Sequence, residues 1–198
     1  MRTAIPTPMF RHPLTDDAAL VLRTLAIADQ FHALIAANLA RLALWEPWAT
    51  GNPTLETTRG SVEAAGRAWL EGSALPMAIA VRVGTEWHLV GSIGLRIDGH
   101  RRTADIGFWI DGSYEGRGLV TRAVTAVLDE AFGPLGLEKV TLHTEVANAR
   151  SRALARRLGF VEEGVLRAAV AFPNERRDDV AYGLLASEWS GRRDVSLG

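Results

Sequence analysis

The run from Thr103 to Phe160 constrains this chain most, because a strand, a glycine-bearing turn, a helix, a second strand and a second helix follow one another without a break. Over Thr103–Ile110, the side chains Ile106, Phe108 and Ile110 alternate with Asp105, Gly107 and Trp109, the period-two pattern of a strand. After the loop from Asp111 to Gly118, residues Leu119, Val120, Ala123, Val124, Val127, Leu128, Ala131 and Phe132 fall on one broad helical stripe. Lys139–Val146 reads as the next strand and Asn148–Leu158 as the next helix, with Gly159 where a left-handed C-terminal cap belongs.

The remaining segments fit around that unit. Leu20–Leu25 is a short strand candidate, and Ala28–Leu44 has helix-like apolar spacing. Trp45-Glu46-Pro47-Trp48 ends this helix, since a residue before proline disfavours the helical region. Leu55–Leu70 predicts a second helix. Met77–Val83 and Trp87–Ile97 are β-rich runs joined by the hairpin signal Gly84-Thr85-Glu86. Phe160–Phe172 and Asp179–Leu185 are the last strand candidates. The pattern predicts an α+β class with a mixed central sheet of about six to seven strands flanked by about four helices, with no repeat or linker. A single domain over residues 1–190 is expected, beginning with an extended, proline-bearing arm over 1–14 and followed by a tail over 191–198.

Composition narrows the function. With 47% hydrophobic and 23% charged residues the chain is ordinary globular material. A net charge of −1 argues against a nucleic-acid footprint. The local cluster Arg150, Arg152, Arg156 and Arg157 reads as a solvated helix face or a phosphate contact. Absence of cysteine removes disulfides, thiolate metal sites and cysteine nucleophiles. The histidines show no paired metal-ligand spacing, so no metal is expected, and His100 and His143 read as ordinary surface or core residues. No apolar run approaches the ~20 residues of a membrane span. Met1–Pro13 lacks the apolar core and cleavage-like site of a secretion signal. A cytoplasmic protein, without a membrane or nucleic-acid partner, is the expectation.

Two places carry chemistry. In Glu115-Gly116-Arg117-Gly118-Leu119-Val120 the glycines let the backbone turn tightly, and the following helix start adds unsatisfied N–H donors and partial positive charge. This suits a phosphate or pyrophosphate, with Arg117 as an added charge, although a plain strand-to-helix turn also explains the glycine pair. No Gly-Lys-Ser/Thr follows and the third glycine of a dinucleotide fingerprint is missing. At the next strand–helix junction, Asn148 is a good N-cap, and with Ser151 it places an amide and a hydroxyl at a sheet edge beside the turn.

Taken in order and spacing, Ala104-Asp-Ile-Gly-Phe-Trp-Ile110, Tyr114-Glu-Gly-Arg-Gly-Leu-Val-Thr121, Asn148-x-x-Ser151 and Leu154-x-x-x-Leu-Gly-Phe160 resemble the GNAT acetyltransferases. Within them the ribosomal-protein N-terminal (Rim-type) branch is the most similar. Trp45-Glu-Pro-Trp48, Glu163-Gly-Val-Leu-Arg167, Arg177-Asp178 through Tyr182 to Leu185, and Glu188-Trp189 resemble that branch too. The similarity spans Leu20 to Trp189.

The resemblance implies a GNAT fold and an acetyl-CoA-dependent N-acetyltransferase. Glu115, Gly116, Arg117, Gly118, Leu119 and Val120 would cradle the pyrophosphate through backbone amides. The strand through Phe108 and Ile110 would pair with the pantetheine arm, and an N–H near Ile110 would stabilise the oxyanion. Asn148 would bind pantetheine, while Ser151 would protonate the departing thiolate. Two departures from the family pattern stand out. Glu115 and Val120 occupy places that usually hold Gln or Arg and Gly or Ala, which lowers the expected affinity for coenzyme A. Related enzymes also place a glutamate on the strand after Leu-Gly-Phe, where this chain has Ala168, Ala169, Val170 and Ala171. The general base must then come from elsewhere or be dispensable. Glu46 is the first candidate and Asp105 and Glu145 are weaker ones; Trp45, Glu46 and Trp48 would meet the acceptor.

Reference ionisation points to the acceptor class. A peptide α-amine titrating near ~8 is roughly one-tenth neutral at pH 7, whereas a lysine amine is about 0.04% neutral. Without a placed carboxylate the α-amine of a protein, peptide or peptide-like natural product is the easier nucleophile. Acylation of a small amine such as an antibiotic, polyamine or amino acid, and a catalytically silent coenzyme A-binding module, are the alternatives. Monomer and homodimer are equally compatible with the sequence.

Overall fold

The computed structural model describes residues 11–190. Most of the expected arm and the whole expected tail, residues 1–10 and 191–198, lie outside the described residues. Eight strands form one sheet: β1 (Arg11–Pro13), β2 (Ala18–Leu22), β3 (Ala74–Val83), β4 (Glu86–Asp98), β5 (Thr103–Ile110), β6 (Lys139–Glu145), β7 (Val161–Phe172) and β8 (Glu175–Leu185), in the order β1-β2-β3-β4-β5-β6-β8-β7. Among the described residues β5 and β6 are the one parallel pair, so the sheet is mixed as expected. The strand beyond the expected number is β1. Its three exposed residues belong to the predicted arm and pair His12 with Leu20 at the sheet edge. A three-residue exposed segment has too little periodicity to be read from sequence.

Four helices cover the two faces: α1 (Ala28–Leu42), α2 (Leu55–Leu70), α3 (Leu119–Phe132) and α4 (Ala149–Arg157). The stripe predicted on α3 is its buried face. Ala123, Val124, Val127, Leu128 and Ala131 pack with Ile93, Ile106, Val140, Leu142, Tyr182 and Leu184. On the opposite face Phe31, Leu34 and Ile35 of α1 and Val62 of α2 cover Ala78, Ala80 and Leu89. Full burial of each large aliphatic side chain contributes about 1.5–3 kcal/mol. Both faces of the central strands are therefore apolar. This explains why β2 begins at Ala18 rather than Leu20: small alanines fit between the layers, and Leu25 already opens a 3-10 turn. Gly84 takes φ +63° in the β3–β4 hairpin and Gly159 takes φ +87° after α4, as their positions required.

The feature that creates a site is a failure of pairing. β5 and β6 are in register from Thr103↔Lys139 to Ile106↔Leu142 and then part. Beyond that point Gly107–Ile110 bond only to β4, and His143–Glu145 only to β8. A wedge-shaped slot opens between two strands of an otherwise continuous sheet. The glycine turn lies at the wide end, beyond Ile110, and the β6–α4 junction lies beside it.

Candidate active site

The wide end of the slot is held in shape by a buried polar link. Asp111, at the end of β5, accepts hydrogen bonds from the Ser113 amide (2.9 Å) and from the Asn38 side chain of α1 (3.1 Å). Asn38 in turn accepts from the Gly112 amide (3.3 Å). Asn38 and Asp111 are both buried, so this link fixes where the turn leaves the sheet. Neither residue was singled out from sequence; a polar Asn within the apolar stripe of α1 was the available signal.

Gly116 and Gly118 then adopt φ +73° and +71°, a region costly for any side chain with a Cβ. Gly118 is the N-cap of α3 and supplies no capping side chain, and the first turn carries no acidic residue. The leading amides of α3 thus keep the free donors and positive dipole end that an anion needs. Val120 packs its side chain against the core around α3. Glu115 does not stand as an isolated charge: its carboxylate accepts from Arg41 of α1 and Arg150 of α4, a bridge across the wide mouth. Arg117, expected to face a phosphate, instead donates to the Ser113 carbonyl (3.1 Å) and stacks over Tyr114. Of the arginine cluster on α4, Arg152 and Arg156 pair with Glu162 on β7.

At the neighbouring junction Asn148 caps α4, its Oδ1 accepting from the Ser151 amide (3.1 Å). The Ser151 hydroxyl makes no hydrogen bond among the described residues and is half-buried. Phe108 and Ile110 turn their side chains into the core beside α3, leaving one edge of their backbone unpaired along the slot.

The sheet face that carries α1 borders the slot with ionisable groups. The loop after α1 brings Trp45 (38% exposed) and Trp48 (45% exposed) outward. Between them Glu46 accepts from the Trp48 indole N–H at 2.8 Å. Burial raises the Glu46 pKa above the usual carboxylate value, with Glu145 acting in the same direction; the Trp48 bond and Arg96 oppose it. The loop is tethered to the β7–β8 hairpin by Arg177, which donates to the Leu44 carbonyl (2.8 Å) and to Glu145 (3.1 Å) and lies 3.8 Å from the Phe172 ring. Where related enzymes place a glutamate, β7 has a bulge between Leu166 and Val170, with Ala168 at φ +50°.

Asp105 accepts from the Thr141 hydroxyl and lies 3.6 Å from Arg96. Asp105 and Glu145, the weaker base candidates, thus both have committed partners. His143, read as an ordinary surface or core histidine, is exposed on β6 and carries an acidic partner. It is the first β6 residue beyond the register with β5, its side chain is 40% exposed, and its Nδ1 lies 2.8 Å from Oδ2 of Asp179. No sequence signal links these two residues, which are brought together by β6–β8 pairing. Among the described residues no group of three or more His, Asp or Glu side chains is arranged to hold a metal, and no helix is long and apolar enough to cross a membrane.

The geometry thus gives a slot between parting strands with a glycine turn at its mouth, and sequence comparison gives the family. A profile described as an acetyltransferase (GNAT) domain matches residues 19–161, and the chain belongs to that family of acetyltransferase enzymes. YdaF of Bacillus subtilis (strain 168), named as a ribosomal N-acetyltransferase, is 32% identical over 167 residues, covering 84% of this chain and 90% of that protein. The crystal structure of the microcin C7 self-immunity acetyltransferase MccE with acetyl-CoA and AMP is similar at TM-score 0.79 and 25% identity, covering 87% and 94% of the two chains. RimL, a ribosomal L7/L12 α-N-protein acetyltransferase in complex with coenzyme A, shares the fold at TM-score 0.82 and 22% identity, over 89% and 98%. The resemblance to the ribosomal-protein branch is thus borne out by relatives that carry that name.

Proposed function

We propose that the protein transfers the acetyl group of acetyl-CoA to the α-amine of a protein or peptide. The observation that carries this reading is the wedge between β5 and β6, with uncapped helix amides at its wide end and ionisable groups along the face bearing α1. The name of YdaF and the acetyl-CoA bound to MccE support the donor and the protein acceptor.

The diphosphate rests on the amides from Gly116 to Val120, and Arg41 and Arg150 offset the charge of Glu115. Pantetheine follows the free edge of Gly107–Ile110 and takes a hydrogen bond from Asn148. The amine enters from the face bearing Trp45 and Trp48, with Glu46 as the counter-charge for its ammonium form. Once the ammonium has given a proton to solvent, its nitrogen lone pair forms the C–N bond, the carbonyl electrons move to oxygen against an amide on the free edge of Gly107–Ile110, and the C–S bond then breaks. The sulfur leaves with the bonding pair and takes a proton from Ser151, directly or through water.

Polyamines are a weaker fit. Asp105, Glu145 and Asp179 are each engaged by Arg96, Arg177 or His143, so little free negative charge remains for a polycation. The test is thiol release from acetyl-CoA with peptides bearing a free or a blocked N-terminus, beside polyamines and aminoglycosides. Turnover is expected only with free α-amines. Turnover confined to polyamines would replace this reading, and tight coenzyme A binding without transfer to any amine would mark a silent module.

A further inference from the structure

We infer that His143, held by Asp179, is the group that takes the proton from the attacking amine. The inference rests on the acetyltransferase reading above and supplies a base where the β7 segment Ala168–Ala171 has no carboxylate.

Position is the first argument. A thioester threaded from the glycine turn along Gly107–Ile110 has its reactive end toward the narrow part of the wedge. The narrow part is bounded by Ile106↔Leu142, and His143 is the next residue on the β6 side. Strand alternation supplies the direction. Val140 and Leu142 are buried in the core under α3 and α4, so Thr141, His143 and Glu145 project to the other face, where the Trp45–Trp48 loop lies.

Chemistry is the second argument. A carboxylate only accepts hydrogen bonds, so the 2.8 Å contact to Asp179 places a proton on Nδ1 of His143 and leaves the Nε2 lone pair toward the slot. Asp179 is 6% exposed and lies opposite Glu145 in the β6–β8 register, and its hydrogen bond orients the ring. The surrounding charged groups have other partners. Asp105 on β5 is bound by Thr141, faces Arg96 of β4, and its Oδ1 is 3.9 Å from Nε2, beyond hydrogen-bonding range. Glu145 on β6 is bound by Arg177 of β8, and Glu46 on the loop accepts from Trp48. His143 is half-exposed and presents an unengaged basic atom at the point where a nucleophile must arrive.

The step balances within the proposed reaction. As the C–N bond forms, the nitrogen becomes cationic, and its N–H proton passes to Nε2. The imidazolium is held between Asp179 and Asp105 until solvent removes the proton, while the thiolate is protonated separately through Ser151. Asp179 is a positioning residue, acting through the ring.

The test is a steady-state pH series with a peptide acceptor, comparing wild type with His143→Gln, His143→Ala, Asp179→Asn and Glu46→Gln, with coenzyme A affinity measured for each by calorimetry. The expected results are a loss of about 100-fold in kcat/KM for His143→Gln and disappearance of its acidic limb, with unchanged coenzyme A affinity. Partial recovery of His143→Ala by added imidazole is expected. Asp179→Asn should lower kcat and alter the pH profile, because the amide can donate to Nδ1 and favour the wrong tautomer, whereas Glu46→Gln should retain the limb. Wild-type rates and profile in His143→Gln, or loss of the limb in Glu46→Gln instead, would overturn the inference. Silence of the wild-type protein toward every amine would overturn the acetyltransferase reading, and this inference with it.

Discussion

The two sides of the slot are built in opposite ways. The proposed donor side comes mainly from one contiguous stretch, β5, the Glu115–Val120 turn, α3, β6 and the Asn148–Ser151 cap, with Asn38 and Arg41 of α1 bracing the turn. The acceptor side is assembled from separate segments: the Trp45–Trp48 loop, Arg96 on β4, Asp105 on β5, His143 and Glu145 on β6, and the Phe172–Asp179 region of the β7–β8 hairpin. On the proposed donor side main-chain amides and glycine conformations would do the binding, and these follow from a few neighbouring residues. On the acceptor side most interactions are made by side chains reaching residues distant in sequence, such as Arg177 with the Leu44 carbonyl and His143 with Asp179. A coenzyme common to a family suits the first construction, and an acceptor that differs from member to member suits the second.

Substitutions can break this division. The largest effect is expected from Gly118→Val, because a β-branched residue is strained at φ +71° and the leading amides of α3 would reorient. Coenzyme A affinity measured by calorimetry should fall at least 100-fold; an unchanged Kd would remove the turn from the binding site. Asn38→Ala should cost about 1–3 kcal/mol of unfolding free energy in denaturant titration, since it leaves buried Asp111 short of a donor. Coenzyme A binding should weaken with it, because the turn loses its anchor.

Arg177→Ala should act on the acceptor side alone. It frees the Trp loop from the hairpin, so the acceptor KM should rise roughly tenfold, equivalent to about 1.4 kcal/mol, with the Kd for coenzyme A unchanged. An equal loss on both sides would show that the two constructions are mechanically one. The smallest effect concerns Glu46. Its folded-state pKa is raised, so it favours folding most below the unfolded carboxylate pKa, and that contribution is lost as pH rises through the folded value. Glu46→Gln should therefore gain Tm relative to wild type as pH rises from acid to neutral, with little difference at the acid end. A constant difference across pH would rule out burial as the cause.

Legibility followed the same boundary. The helix Leu55–Leu70 and the strand Thr103–Ile110 were readable to the residue, because period and cap are local signals. Thr54 closes a capping box with Thr57 at the start of that helix. The last strand begins at Glu175 rather than Asp179. Its first four residues are all charged, and only pairing with β7, such as Phe172↔Glu175, makes them a strand. Glu115 was read as an unhelpful charge, yet Arg41 and Arg150 balance it from helices on opposite faces of the sheet. The pairing of His143 with Asp179 was not legible, because the partner lies on another strand.

From sequence alone came the elements, the glycine turn, the capping Asn148 and hence the family, since each depends on backbone preferences within a few residues. Tertiary structure alone decided where β5 and β6 part, which charges are neutralised, and which side chains border the opening. Strand register sets those outcomes, and register is a property of the whole sheet: shifting one pair by a single residue would turn every side chain on that strand to the other face.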